Sequence, residues 1–218
     1  MDNLTVIQRI AVWILPVIFA ITVHEVAHGW VAKKYGDNTA AHLGRLTLNP
    51  LKHIDLFGTI ILPTLLLITG TGFIFGWAKP VPVDPRHFKK PRQDMAIVAL
   101  AGPASNLLMA IGWALIARIG VTVGVDNEAI AMPLIYTGIA GISINLVLML
   151  LNMLPIPPLD GSRILSGILP SYWAWQFNKL ERFGFIILLV MLYTKVLNVV
   201  LDYPLYFVQQ WFFTLAGI

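Results

Sequence analysis

The stretch ITVHEVAHGWVAKK, residues 21–34, closes an apolar run with two histidines and a glutamate and follows them with two lysines. The run it ends, 10–32, exceeds the roughly 20 residues a helix needs to cross about 30 Å of hydrocarbon, so the titratable groups enter the membrane with it. Runs of similar length stand at 95–119 and 133–154, with a less uniform one at 183–201 and shorter ones at 56–69 and 203–215. Of the 218 residues, 57% are hydrophobic and 12% charged, a balance outside that of soluble domains. The expected fold is an all-α polytopic membrane protein, a helical bundle of about four to six membrane segments. A single domain over 1–218 leaves little room for a separate soluble unit, so function lies in the bundle or its short loops. The first run is too long for a signal-peptide core and Arg9 is a weak basic start, so a retained helix is expected.

Zero cysteines exclude disulfides, thiolate metal sites and cysteine nucleophiles. The net charge of +4 reports topology and gives no sign of a nucleic-acid partner, because the basic residues flank apolar runs and form no stripe. They gather at Lys33, Lys34, Arg45 and Lys52, then at Lys79, Arg86, Lys89, Lys90 and Arg92, then at Arg163, Lys179 and Arg182. The positive-inside rule places all three groups in the cytoplasm and the chain's N-terminus outside, as expected for a multi-pass protein of the cell membrane. The connection 121–128, with Asp126 and Glu128 and no Lys or Arg, fits the outside. If 56–69 were a full span, the first two basic groups would face opposite sides. That run, which is short and holds Pro63, is therefore expected to enter and leave on the cytoplasmic side, with the Gly-rich TGTGFIFGWAKPVPV of 69–83 as extended chain; a short, tilted ordinary span is the competing reading.

His24-Glu25-x-x-His28 sets two imidazoles on one helix face with Glu25 about 100° round. At that spacing two neutral imidazoles can share a zinc ion, with the carboxylate beside them acting on its water. Histidines paired by internal hydrogen bonds are the plainer reading, weakened by the expense of three ionisable groups at membrane depth. His24 lies about 21 Å of helix beyond Ile10, hence near the inner interface. A catalytic zinc needs a third protein ligand and an open position. Most carboxylates fall on the outer side or among basic loops; Asp160 stands apart in NMLPIPPLDG, at the inner end of the run that began at Pro133. Pro155, Pro157 and Pro158 break that helix and let a carboxylate turn into the bundle. With 56–69 re-entrant, both motifs reach the same depth; for the motif alone, Asp160 capping a short helix is the competing reading.

Asn145 and Asn152 lie seven apart, on nearly one face, and Asn106 follows AGPAS in the preceding run. Asn145 suits a tie between helices, whereas Asn152 is also placed to hold an extended substrate backbone. Gly102 and Ala104 permit close helix approach beside the metal. His53, in a loop before the re-entrant run, is a weaker candidate for supporting the site.

These motifs together resemble the site-2 protease family of intramembrane zinc metalloproteases, and FGWAKPVPV and AGPASN look like signatures of its compact prokaryotic members, without a PDZ or CBS domain. The resemblance covers most of 23–165. It implies one zinc per chain held by His24, His28 and Asp160, Glu25 as general base, Asn152 and Asn106 as substrate or transition-state contacts, and a membrane-reentrant, partly β-structured segment over 56–83. The core is then 10–165, with the HExxH helix 10–32, helix 95–119, helix 133–154 leading to LDG, and C-terminal membrane segments in 183–218. The activity implied is cleavage of a transmembrane protein substrate near the cytoplasmic face, with the lipid bilayer as the other partner; a homo-oligomer is compatible. The competing function is a divalent-metal transporter, disfavoured because no second half repeats the motif or a matching broken helix.

Overall fold

The computed structural model describes residues 4–68, 76–124 and 127–218, and its regular elements there are all helical. Helix α1 (Val6–Lys34) runs unbroken for 29 residues, about 44 Å at 1.5 Å per residue. It starts before the expected position 10 because Thr5 builds a capping box, its side chain taking the Gln8 N–H while the Gln8 side chain takes the Thr5 N–H. Lys33 and Lys34 fill the last turn, where cations suit the exposed carbonyls.

After the short α2 (Thr39–His42), a π-helical turn at Leu56–Ile61 leads into α3 (Leu62–Ile68). The chain then comes back to where it left. The Lys79 N–H donates to the His53 carbonyl at 2.9 Å, the Trp77 N–H to the Gly58 carbonyl at 3.1 Å, and the Thr59 hydroxyl to the Trp77 carbonyl at 2.8 Å. A Cβ on Gly58 would fall 2.3 Å from the Trp77 ring, so glycine is what lets the two arms meet. Residues 76–84 form no strand: Pro80 and Pro82 withhold two donors from any ladder. The described parts of the expected β-structured segment are thus helical at 56–68 and irregular at 76–84. Its Gly-rich part, 69–75, lies outside the described residues, as does Asp126.

Helix α4 (Pro91–Val123) begins at a proline whose missing N–H would be unpaired at a helix start anyway. Helix α5 (Glu128–Met153) starts at an acidic first turn, and Pro133, expected at its start, lies inside it. Four shorter helices follow: α6 (Asp160–Ile168), α7 (Ser171–Asn178), α8 (Glu181–Tyr193) and α9 (Val196–Ala216). Among the described residues three helices, α1, α4 and α5, are long and apolar enough to cross a membrane. The number becomes four if α8 and α9, bent by 76° at the left-handed Lys195, make one span.

Small residues bring the long helices together. Helix α4 lies antiparallel to both α1 and α5, with Gly102 beside His24 and His28, Gly138 against Ala117 and Gly141 under the Trp113 ring. Helices α1 and α5 therefore run the same way. Residues 203–216 belong to α9, whose Phe212 is buried with Ala110, Ala114 and Ala117 of α4 and Ile142 and Leu146 of α5.

Candidate metal centre

One turn apart on α1, His24 and His28 bring their Nε2 atoms to 3.1 Å. Asp160, the first residue of α6, sets Oδ2 at 3.2 Å from each of them. Three ligand atoms thus form a nearly equilateral triangle, the one such group of ligand side chains among the described residues. Glycine again makes the placement possible: a Cβ on Gly161 would sit 2.3 Å from the Met153 carbonyl oxygen and 2.4 Å from that of Leu154, so only glycine lets α6 start against the end of α5. Asp160 does not cap α6, whose N-cap is Leu159, and its Oδ2 is buried without a hydrogen-bond donor.

The partners of the two histidines decide what these atoms can do. The His24 Nδ1 lies 2.5 Å from Asn106 Oδ1, and the His28 Nδ1 lies 2.8 Å from the Val98 carbonyl oxygen. Both partners accept, so each Nδ1 donates, and each neutral ring presents a bare lone pair at Nε2. The Asn106 amide is itself oriented: its Nδ2 donates to the Ala20 carbonyl at 3.3 Å and to Asn145 Oδ1 at 2.9 Å, and Asn145 Nδ2 donates to the Gly141 carbonyl at 2.8 Å. With both rings neutral, the three lone-pair atoms at 3.1–3.2 Å repel each other in a medium of low dielectric, and a cation among them reverses the sign. A tetrahedron with arms of about 2.0–2.1 Å has edges of about 3.3 Å. The triangle matches within about 0.2 Å, so the residues present fit a tetrahedral ion with nitrogen and oxygen donors and one position left open. Gly102 completes the cradle: a Cβ there would come 2.5 Å from the His28 Nε2 and 2.6 Å from the His24 Nε2.

Glu25, beside His24, offers Oε2 to the Val81 N–H at 2.7 Å. Asn106 is fully buried and engaged with His24, Ala20 and Asn145. Asn152 is half-buried near the end of α5, its Nδ2 on the Leu148 carbonyl at 3.0 Å. His53 is buried away from the triangle, with Nε2 at 2.9 Å from the Thr47 carbonyl. A second polar knot fastens the loops below the site. The buried Asp37 accepts the Thr39 N–H and hydroxyl, the Asp84 N–H at 2.7 Å and the half-exposed His87 Nδ1 at 2.9 Å. Burial raises the Asp37 carboxyl, but these donors outweigh it and hold it below its ordinary value.

Sequence reasoning missed the Val98 carbonyl, the Val81 N–H and the service Asn106 gives to His24. The first two are backbone groups, and no side-chain pattern signals which distant residue each one meets. The third left one: Gly102 and Asn106 are four apart, on the face of α4 that the four-apart histidines of α1 require.

A triangle of possible metal ligands, with a glutamate one residue from His24 and at the end of a membrane-length helix, has the groups that a membrane metalloprotease requires. Comparison with known proteins agrees: the sequence model of peptidase family M50 matches residues 12–125, about half of the chain, and the chain belongs to that family. It is 42% identical over 196 residues, covering 86% of this chain and 83% of the other, to the "Putative zinc metalloprotease YwhC" of Bacillus subtilis (strain 168). It is 31% identical to the "Putative zinc metalloprotease Rip2" of Mycolicibacterium smegmatis, over 100% of this chain and 80% of that one. No solved structure matches the chain significantly.

Proposed function

We propose that this chain is a zinc-dependent endopeptidase that cuts other membrane proteins within or beside a transmembrane segment, near the cytoplasmic face. The observation that carries the reading is the convergence of two tautomer-fixed imidazoles and a carboxylate oxygen, 3.1–3.2 Å apart, at the C-terminal ends of α1 and α5. His24, His28 and Asp160 would hold one zinc. When bound, the ion supplies a Lewis acid that makes water a competent nucleophile near neutral pH and polarises a carbonyl. Glu25 takes the proton from the attacking water and returns it to the departing amide nitrogen. Asn106 holds the His24 ring in register, and Asn145 holds Asn106. Asn152, with its Nδ2 occupied by its own helix, keeps a carbonyl oxygen for an N–H of the substrate backbone.

The chain excursion between His53 and Lys79, closed by a hydrogen bond between those residues, supports a re-entrant segment on the cytoplasmic side. With it, the basic groups share that side and the N-terminus lies outside the cell membrane. The test is a comparison of membrane proteomes from cells carrying wild-type or Glu25→Gln protein. Membrane proteins that accumulate full-length only in Glu25→Gln, with zinc still bound, support the reading; indistinguishable proteomes with divalent-ion flux preserved in Glu25→Gln liposomes would favour transport.

A further inference from the structure

Val81 lies against α1 beside Glu25 and Gly29, and between Pro80 and Pro82 the chain has a single main-chain donor, the N–H of Val81. That donor is spent on Glu25 Oε2 at 2.7 Å, while Oε1 has no hydrogen bond among the described residues. The segment is tied on both sides of this contact. Arg45 Nη2 holds the Lys79 and Pro80 carbonyls at 2.9 and 3.2 Å, and the buried Asp37 takes the Asp84 N–H. The Val81 side chain is buried against Gly29, one turn after Glu25, where a Cβ would come 2.8 Å from Val81 Cγ1.

We infer that the Val81 N–H is a positioning group for the catalytic carboxylate. It fixes one oxygen of Glu25 so that the other faces the nucleophile, and the flanking prolines keep the donor aimed by restricting the backbone on either side. The proposal rests on Glu25 being the general base. Two alternatives are weaker. A strap that merely covers the site needs no donor at this position, and Glu25 held only by its own helix would leave the 2.7 Å contact without purpose.

Two arms test it on the full-length protein. Labelling with carbonyl-13C proline and 15N valine makes only Val17, Val81 and Val83 visible, because these are the valines that follow a proline. Amide exchange is then followed in wild type and Glu25→Ala. We expect Val81 to exchange at least about tenfold faster in Glu25→Ala with Val83 changed by less than about twofold, since only the first donates to the lost carboxylate. An unchanged Val81 rate, or an equal rise at Val83, overturns the inference. In the second arm, a fluorogenic single-span peptide in proteoliposomes reports kcat and KM for zinc-loaded Val81→Pro, which lacks the N–H, and Val81→Ala, which keeps it. Loss of an orienting partner costs about 10- to 100-fold, so kcat is expected to fall by that factor in Val81→Pro and by less than about threefold in Val81→Ala, with KM and zinc content unchanged. Equal kcat losses, a loss confined to KM, or full activity in Val81→Pro overturns it. If wild type shows no cleavage that Glu25→Gln abolishes, the proteolytic reading fails, and the exchange arm still reports whether the bond exists.

Discussion

Replacing Gly102 with alanine is the smallest change that reaches the candidate centre from outside its ligands. The added Cβ would lie 2.5 Å from the His28 Nε2 and 2.6 Å from the Nε2 and Cε1 of His24, short of the 3.4 Å of ordinary contact by about 0.8–0.9 Å. Neither ring can step aside freely, because Asn106 and the Val98 carbonyl hold the two Nδ1 atoms. The strain is relieved either by rotating the rings or by moving α4 away, and both displace at least one Nε2 by several times the tolerance of about 0.2 Å for a metal ligand. We expect zinc affinity to fall by about 100-fold, equivalent to about 2.8 kcal/mol, and cleavage at limiting zinc to fall with it. Competition with a chromophoric chelator on the purified protein measures the affinity. Zinc binding by Gly102→Ala within a factor of two of wild type would refute the close approach of α4 to the imidazoles.

Asn106→Ala strips the His24 Nδ1–H of its acceptor and is expected to weaken zinc about 10- to 100-fold by the same titration, although Asn106 touches no metal. Phe212→Ala removes the buried anchor of α9; a loss of about 2 kcal/mol on unfolding in detergent is expected, below the about 3–5 kcal/mol of water-soluble cores because lipid competes for the exposed surface, with zinc content unchanged. Asp37 is held below its ordinary value of 3.8, so its stabilising contribution is present above that pH and is lost as pH falls through the lower folded value. The melting temperature of Asp37→Asn is therefore expected to lie a constant interval below wild type at neutral pH, and thermal unfolding followed downward in pH shows the interval closing below about 4.

Much of the centre was readable from spacing. The four-residue step between the histidines is a property of any helix, and the basic groups gave a crossing parity that put Asp160 at their depth; α1 and α5 do run the same way, and Asp160 meets both imidazoles. The helix ends were less legible, since α1 and α5 extend into polar flanks where capping at Thr5 and an acidic first turn at Glu128 outweigh hydropathy. Least legible were contacts made by backbone groups: the Val98 carbonyl under His28 and the Val81 N–H on Glu25 depend on where two distant segments meet. Gly58, Gly102 and Gly161 belong to the same class, because what each glycine makes room for lies on another element.

The assignment of one zinc to His24, His28 and Asp160 underlies the proposed function. Its most direct test is the zinc content of detergent-purified protein, by elemental analysis after gel filtration, in wild type and Asp160→Ala side by side. One zinc per chain in wild type and almost none in Asp160→Ala is the predicted result; equal content in the two proteins would contradict the ligand set.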